Sequence, residues 1–331
     1  MVKGKSEIME AIGGYFELAD LVEVGQFPHG NGVLLNTGRN ALEYILRSIG
    51  DVKGIYLPYY TCEVVLEPLK KLNIPWSFYH INTSFEIADE INLGEREYII
   101  ANNYYGIKDS YIEKLAKRYG RQLIVDCSQA FFSKPLSGIY SFYSMRKFVG
   151  VADGGVAYLG NLPQGLIDVK EEERTSEHDS HLLKRKRSGA ESGFAFFQAN
   201  EKKLNNQPIR NMSFKTKWIL DHIDYNEIVE RRVENFKCLH DALNKENYLT
   251  LPNCDAFKCP MIYPFMTSIG CSLRKKLIDN KVFVARYWPN VEQQDGFETE
   301  YDLSLNVLSI PCDQRYGIEE MNRIIDLIRT I

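Results

Sequence analysis

The chain of 331 residues lacks the features that mark several large protein classes. It contains no run of eighteen apolar residues, so no transmembrane helix is expected, and its opening stretch, MVKGKSEIMEAIGG, is not typical of a signal peptide. The net charge of −4 provides no basic face for a nucleic-acid backbone. These absences predict a cytoplasmic protein that binds neither membranes nor nucleic acids.

Metal and dinucleotide motifs are also missing. The seven cysteines include no C-x-x-C pair, and Cys254 and Cys259 have no second ligand pair at zinc-finger spacing. Neither a G-x-G-x-x-G fingerprint nor a Walker sequence occurs. We therefore expect reduced thiols, no metal site and no dinucleotide.

What the first half of the chain does contain is an alternation of short apolar strands and amphipathic helices. Strands are predicted at residues 33–35, 55–57, 76–81, 98–101 and 123–125, and helices at 39–49, 63–72 and 110–118. Strands that alternate with helices over short connectors predict an α/β fold with a mostly parallel sheet. In such sheets ligands bind at the carboxyl ends of the strands.

The composition predicts three parts, an N-terminal leader (1–29), a large domain (30–224) and a smaller C-terminal α/β domain (225–331). Residues 168–193 carry dense charge of both signs. A basic patch at 184–187 is one interpretation, but the preceding acids favour a solvated loop or helical arm. We assign no chemistry to His178 or His181 in this arm.

Three positions carry residues of the types that bind ligands or react with them. Asp126 ends an apolar strand, where a carboxylate requires a cation or serves as a helix N-cap. Gly38 opens a helix, which favours an anion, although many helices begin this way. Lys147 lies between two apolar stretches, before Asp153-Gly154-Gly155, where most lysines would be surface charges. Together they describe one ligand, pyridoxal 5'-phosphate, with Lys147 bonding to its aldehyde.

The stretches LNTGRNALEYILRSIG, IYLPYYTCEVVLEPL, LIVDCSQAF, FYSMRKFVGVADGG, ERRVENF and LSIPCDQRYGIEEM occur in this order. In them the chain resembles the DegT/StrS family of sugar aminotransferases, which have the fold type I architecture of pyridoxal-phosphate enzymes. The resemblance runs from about residue 30 to the C-terminus. It implies a large domain with a mostly parallel central sheet flanked by helices, and a smaller C-terminal α/β domain.

The resemblance also implies roles for individual residues around the cofactor ring. Lys147 is the catalytic lysine, which holds the cofactor covalently and later moves a proton. Asp126 pairs with the pyridine nitrogen, and Gln129 contacts the phenolic oxygen. An aromatic ring usually stacks on the cofactor at the position that Cys62 occupies here, so Tyr60, or else Tyr59 or Tyr105, is expected to replace it.

The phosphate is implied to lie at the helix start, against Gly38, Arg39 and Asn40, with a hydroxyl from Ser144. Ser141 is the alternative hydroxyl, because the spacing from serine to lysine is shorter here than in most members of the family. Asp153-Gly154-Gly155 matches the turn after the lysine, where glycines let the strand pass close to the site.

The function implied is transfer of an amino group from an amino acid, glutamate by analogy, to a nucleotide-linked keto-sugar in amino-sugar or surface polysaccharide biosynthesis. Arg286 and Arg315 are candidates for binding a carboxylate or phosphate, or are structural arginines. The site is expected at the interface of a homodimer, with an asparagine near Ile209 or Asn211 reaching the partner's phosphate.

Three alternatives remain open. One is an enzyme of the same fold that uses the same cofactor but acts on amino acids without a sugar. The second is a binding or regulatory protein that keeps the fold but has lost catalysis, against which the intact Lys147, Asp126 and Gln129 argue. The third, sugar dehydration, is disfavoured because the relatives that perform it replace the lysine.

Overall fold

The computed structural model describes residues 10–171, 179–293 and 295–330. His178, one of the two histidines of the charged arm, lies outside these ranges. Within them no helix is long and apolar enough to cross a membrane.

The described chain contains eleven strands, which form one large sheet and two small ones. The strands are β1 (Ile12–Gly13), β2 (Val33–Leu35), β3 (Gly54–Pro58), β4 (Trp76–Tyr79), β5 (Glu97–Asn102), β6 (Leu123–Cys127), β7 (Tyr140–Ser144), β8 (Gly155–Leu159), β9 (Ile262–Met266), β10 (Val282–Phe283) and β11 (Val307–Pro311). The large sheet has the order β2-β8-β7-β6-β5-β3-β4. The five neighbouring strands β7, β6, β5, β3 and β4 run parallel to one another, and β8 pairs antiparallel with its two neighbours, β7 and β2. This confirms the mostly parallel sheet.

Ten α-helices surround these sheets in the described ranges. They are α1 (Gly38–Ile49), α2 (Leu66–Lys71), α3 (Asp109–Tyr119), α4 (Ser180–Ser188), α5 (Ala190–Lys203), α6 (Phe214–Leu220), α7 (Tyr225–Leu243), α8 (Gly270–Asp279), α9 (Glu298–Asn306) and α10 (Ile318–Arg329). Among its described residues the charged arm (168–193) contains α4 and the first turn of α5.

The large sheet is covered on both faces, which explains why its central strand is apolar throughout. Every residue of β6 is buried. Ile124 packs in the same cluster as Leu42 and Ile45 of α1, whereas Leu123 and Val125 pack in the cluster on the opposite face. Because successive side chains alternate between faces, a strand between two apolar layers reads as a continuous hydrophobic run.

The remaining strands join the two ends of the chain. β9 and β11 pair antiparallel, and β1 pairs parallel with β10, so that Ile12 lies opposite Val282. The segment predicted as a leader thus contributes a strand beside the C-terminal part of the molecule. Ile12 is fully buried there, and this packing ties the N-terminal segment to the C-terminal half.

Candidate active site

A cavity of about 180 Å³ lies at the carboxyl end of the central strands. The register places Asn102 of β5 beside Asp126 of β6, and Asp126 beside Phe142 of β7, so the ends of three strands meet here. The cavity is lined by Thr37, Gly38, Arg39, Leu42, Thr61, Cys62, Val64, Val65, Asn102, Asn103, Asp126, Ser128, Gln129, Phe142, Ser144, Arg146, Lys147, Glu201 and Trp288. It is the strand-end position that the sequence indicated for a ligand.

Asp126 is held rigidly at the floor of this cavity. Its side chain is buried, and its Oδ1 accepts hydrogen bonds from the Ser128 backbone N–H at 2.8 Å and from the Ser128 hydroxyl. Burial raises the pKa of Asp126, while the Ser128 hydroxyl and the nearby Lys147 ammonium oppose that rise. A cation placed in the cavity would stabilise the ionised carboxylate further.

Gln129 lies beside Asp126 with one of its polar atoms unused. Its Oε1 accepts from the Tyr105 backbone N–H at 3.1 Å, which fixes the carboxamide. Its Nε2 is buried and has no hydrogen-bond partner among the described residues. An unmade hydrogen bond of a buried donor costs about 1–3 kcal/mol, so this amide fits a ligand that brings an acceptor oxygen.

Lys147 ends a single 3₁₀ turn, Met145–Lys147, that interrupts the path from β7 to β8. Its side chain is half-buried, lines the cavity, and makes no hydrogen bond to any residue in the described ranges. A second cavity, of about 390 Å³, is lined by the same lysine and by Arg146. The amine therefore lies where two cavities meet.

The two glycines after Lys147 make room for the start of α1. A Cβ on Gly155 would lie 2.2 Å from the Thr37 carbonyl oxygen, which no real side chain tolerates. Gly154 has a φ of +123°, and a Cβ there would lie 3.0 Å from the Met145 side chain. The glycines thus let β8 pass against both the first turn of α1 and the turn that carries the lysine.

The first turn of α1 forms another wall of the cavity. Gly38, Arg39 and Ser144 all line it, and the N-terminus of a twelve-residue helix offers N–H groups and a positive dipole end to an anion. Arg39 is already paired with Glu67 at 3.1 Å and donates to Asn205 at 2.6 Å. The phosphate of the proposed ligand fits this corner.

Asn40 is not part of this wall, contrary to the sequence-based prediction. Its side chain is fully buried, accepts from the Thr37 hydroxyl at 2.7 Å, and donates to the Gln207 carbonyl at 3.0 Å. Its backbone N–H donates to the Thr37 hydroxyl in the N-cap of the helix. Asn40 therefore stabilises the helix start from behind.

Ser144 and Ser141 lie on opposite sides of the sheet because they are three residues apart on one strand. Ser144 lines the strand-end cavity, whereas Ser141 lines a separate cavity with Ser133 and Tyr143. Of the two serines considered from the sequence, only Ser144 lines the strand-end cavity.

The aromatic residues near the site are arranged differently from the prediction. Tyr60 is fully buried, and its hydroxyl is 3.2 Å from that of Tyr105. Tyr60, Tyr105 and Tyr59 are all absent from the cavity wall, where Cys62 and Trp288 are found. Tyr60 therefore belongs to the aromatic core under the site. Trp288, 141 positions from Lys147 in the chain, is the ring that sequence reasoning missed.

The two candidate arginines are held outside the two cavities. Arg315 donates to both Asp313 carboxylate oxygens, at 2.7 and 2.9 Å, and to the Tyr15 carbonyl at 3.1 Å. Arg286 donates to the Ser304 carbonyl at 3.3 Å. Neither lines either cavity. Arg315 is a structural residue that fixes the N-terminal segment.

No protein-family model and no curated protein matches this chain. Solved structures do match it. They include DesV of S. venezuelae, in complex with a ketimine intermediate, at 14% identity and a TM-score of 0.64, over 90% of this chain and 84% of that one. A DegT DnrJ EryC1 StrS aminotransferase from Brucella abortus matches at 15% identity and a TM-score of 0.58, over 90% of this chain and 85% of that one.

The chain has the fold of these two proteins. A further structure of this kind is NtdA from Bacillus subtilis with bound cofactor PMP, at 16% identity and a TM-score of 0.60, over 90% of this chain and 72% of that one. At such identities the likeness shows the architecture, confirming the predicted fold class. What the chain does with this architecture depends on the residues of its own site.

Proposed function

We propose that this protein is a pyridoxal-phosphate-dependent aminotransferase that moves an amino group from an amino acid, glutamate, to a nucleotide-linked keto-sugar in amino-sugar or surface polysaccharide biosynthesis. The observation that carries the proposal is that Lys147, Asp126 and Gln129 line one cavity, and that the buried Nε2 of Gln129 has no hydrogen-bond partner among the described residues. The structures of similar fold, solved with a ketimine intermediate or with PMP, support it.

The residues present fit the parts of this cofactor one by one. Asp126 offers a carboxylate to a pyridinium nitrogen, Gln129 offers an N–H to a phenolic oxygen, and the start of α1 with Ser144 offers donors to a phosphate. When bound, the cofactor supplies an electron sink for the substrate carbon next to the amine. Trp288 and Cys62 provide the less polar part of the wall.

The protein's own residues then control the transfer of a proton between the bound groups. Lys147 has a flexible four-carbon stem, and it lies where the two cavities meet. Its amine is thus placed to take a proton from a group in one cavity and return it to a neighbouring atom. Asp126 is buried and held by Ser128, so its carboxylate is positioned to stabilise a positive charge on the pyridine nitrogen of the cofactor.

A homodimer is part of this proposal. Helices α5 and α6 expose large apolar side chains, of which Phe214 is 71% and Trp218 46% accessible, with Phe194 and Phe196 nearby in sequence. Such side chains are expensive to leave in water and are typical of an interface. Light scattering at several concentrations tests it, and a monomer throughout would contradict this part.

The activity is tested by titrating purified protein with pyridoxal phosphate and recording the absorbance spectrum. We expect a visible band in the wild type, which disappears in Lys147→Ala and persists in the control Lys134→Ala, whose exposed lysine lies away from the strand-end cavity. L-glutamate should then shift the wild-type band, and a keto-sugar should restore it. Equal bands in both variants would contradict the proposed role of Lys147.

The acceptor is identified with a panel of nucleotide-linked keto-sugars and simple keto acids. Restoration of the band by keto-sugars supports the proposed function. Restoration by keto acids alone would instead favour the alternative in which the enzyme acts on amino acids, and a band that no amino acid shifts would favour a binding protein.

A further inference from the structure

The second cavity contains a cation that the proposed chemistry has not used. Arg232 of α7 is fully buried, and it lines this cavity together with Lys147. Its Nε donates to Gln314 Oε1 at 2.8 Å, and its Nη1 donates to the carbonyls of Met261 at 2.9 Å and Pro260 at 3.2 Å. Three neutral acceptors thus fix the guanidinium in one orientation.

The remaining nitrogen of this guanidinium is unsatisfied. Nη2 of Arg232 is buried and has no hydrogen-bond partner among the described residues, and Arg232 forms no salt bridge with any of them. The pKa of the nearby Asp313 carboxyl is lowered by Arg315 and, to a smaller extent, by Arg232. Both carboxylate oxygens of Asp313, however, accept hydrogen bonds from Arg315. A buried guanidinium without its own carboxylate is costly to maintain.

We infer that Arg232 binds a carboxylate of the amino donor. This inference rests on the proposed function, and it names the residue that would make the enzyme select an amino acid rather than a simple amine. Arginine matches a carboxylate geometrically, and the donor's amine must lie near Lys147, which lines the same cavity. The two candidates chosen from the sequence, Arg286 and Arg315, line neither cavity.

The N-terminal segment supplies the cover over this group. The Phe16 ring lies 5.9 Å from the Arg232 guanidinium and lines the cavity, while the Phe148 ring lies 4.7 Å away within the core. Nη2 is covered in the structure, so a carboxylate reaches it when Phe16 shifts. Phe16 is half-buried and its ring also lies 4.3 Å from the Arg315 guanidinium, so an incoming carboxylate has to displace a ring that packs against two cations.

The test compares Arg232→Met with Arg231→Met, an adjacent control on α7 whose side chain is 41% exposed and pairs with Glu234. Titration calorimetry follows the binding of glutarate, a dicarboxylate without an amine, to the cofactor-loaded protein. We expect about a 10- to 100-fold weaker glutarate affinity in Arg232→Met and no change in Arg231→Met. This readout does not require turnover, so its failure is distinguishable from failure of the proposed function.

A second measurement separates recognition from folding. The rate of the absorbance change is compared for L-glutamate, 4-aminobutyrate, which lacks the α-carboxylate, and 2-aminobutyrate, which lacks the side-chain carboxylate. In the wild type we expect one truncated donor to react far more slowly than glutamate, and in Arg232→Met we expect that preference to fall by about 10- to 100-fold. Arg232→Lys, which keeps the charge, should retain part of it.

A merely structural Arg232 would lower all donor rates together and leave their ratios unchanged, which overturns the inference. Unchanged glutarate affinity in a folded Arg232→Met overturns it as well. If Arg232→Met does not fold, the same ratios measured in Arg232→Lys decide: a reduced preference for glutamate supports the inference, and an unchanged one contradicts it.

Discussion

The two cavities that meet at Lys147 are built in different ways. The strand-end cavity is formed chiefly by the ends of neighbouring parallel strands and the start of α1, and its carboxylate, Asp126, is fixed by Ser128 only two positions away. The second cavity is formed by the N-terminal segment, the turn that carries Lys147, parts of α4, α5 and α7, and the C-terminal strands, and Arg232 is fixed by partners 28 to 82 positions away. Local geometry therefore fixes the carboxylate of the proposed cofactor site, whereas tertiary packing fixes the guanidinium of the proposed donor site.

The largest effect is expected from Asp126→Asn, which tests the strand-end cavity alone. The neutral amide keeps the shape but cannot compensate a buried cation, and loss of such a partner costs about 3–5 kcal/mol. Amino transfer should fall by about 10²- to 10³-fold, with glutarate affinity unchanged. The measurement is single-turnover kinetics with glutamate, and a loss of glutarate binding as well would show that the two cavities are not separable.

A pH effect on stability is expected from His29, which lies outside both cavities. It is buried, its Nε2 lies 2.6 Å from the Phe131 carbonyl, and burial lowers its pKa to about 4. Because the unfolded chain binds this proton more readily, His29 makes the fold lose stability as pH falls from about 6.5 towards 4, by up to about 3 kcal/mol.

Denaturant unfolding of wild type and His29→Gln between pH 7 and pH 4 measures this effect. The variant should be less stable at pH 7 but should lose less stability on acidification. Equal slopes in the two proteins would mean that His29 is not the titrating group. His222, which follows α6 and is only partly buried, provides the control His222→Gln.

Gly155→Ala tests the contact between β8 and the start of α1. The added methyl would meet the Thr37 carbonyl, and overpacking of this kind costs about 1–3 kcal/mol. Gly30→Ala is the control, since a Cβ there would lie 3.9 Å from its nearest neighbour, the Phe27 carbonyl oxygen. Thermal unfolding should show a lower Tm for Gly155→Ala only, and weaker binding of inorganic phosphate or cofactor should accompany it.

An effect of similar size, but on cofactor affinity alone, is expected from Ser144→Ala, compared with Ser141→Ala on the opposite face of β7. Loss of one hydrogen bond to the charged phosphate, about 1.5–3 kcal/mol, should weaken cofactor affinity about 10- to 100-fold in Ser144→Ala and leave Ser141→Ala unchanged. A fluorescence titration with pyridoxal phosphate measures both. The reverse order would mean that the cofactor lies on the other side of the sheet.

The sequence predicted the parts of the molecule that depend on neighbouring residues. The apolar run of β6, the helix start at Gly38 and the glycines before β8 each express a local constraint, and all three are found where they were expected. Their order along the chain was enough to place Asp126 and Lys147 at one edge of the sheet.

What was missed depends on contacts between distant segments. Tyr60 lies two residues after the end of β3, but its side chain packs into the aromatic core, and Trp288 from the C-terminal half lines the cavity instead. Arg315 was predicted as a possible ligand-binding residue, but its guanidinium donates hydrogen bonds to Asp313 and to the N-terminal segment. No local pattern distinguishes a buried arginine such as Arg232 from an exposed neighbour such as Arg231.

The covalent role of Lys147 is tested most directly by reducing the cofactor-loaded protein with borohydride and mapping the modified peptide by mass spectrometry. We predict a single labelled residue, Lys147, and no label after Lys147→Ala. Label on another lysine, or undiminished label in the variant, would contradict the assignment.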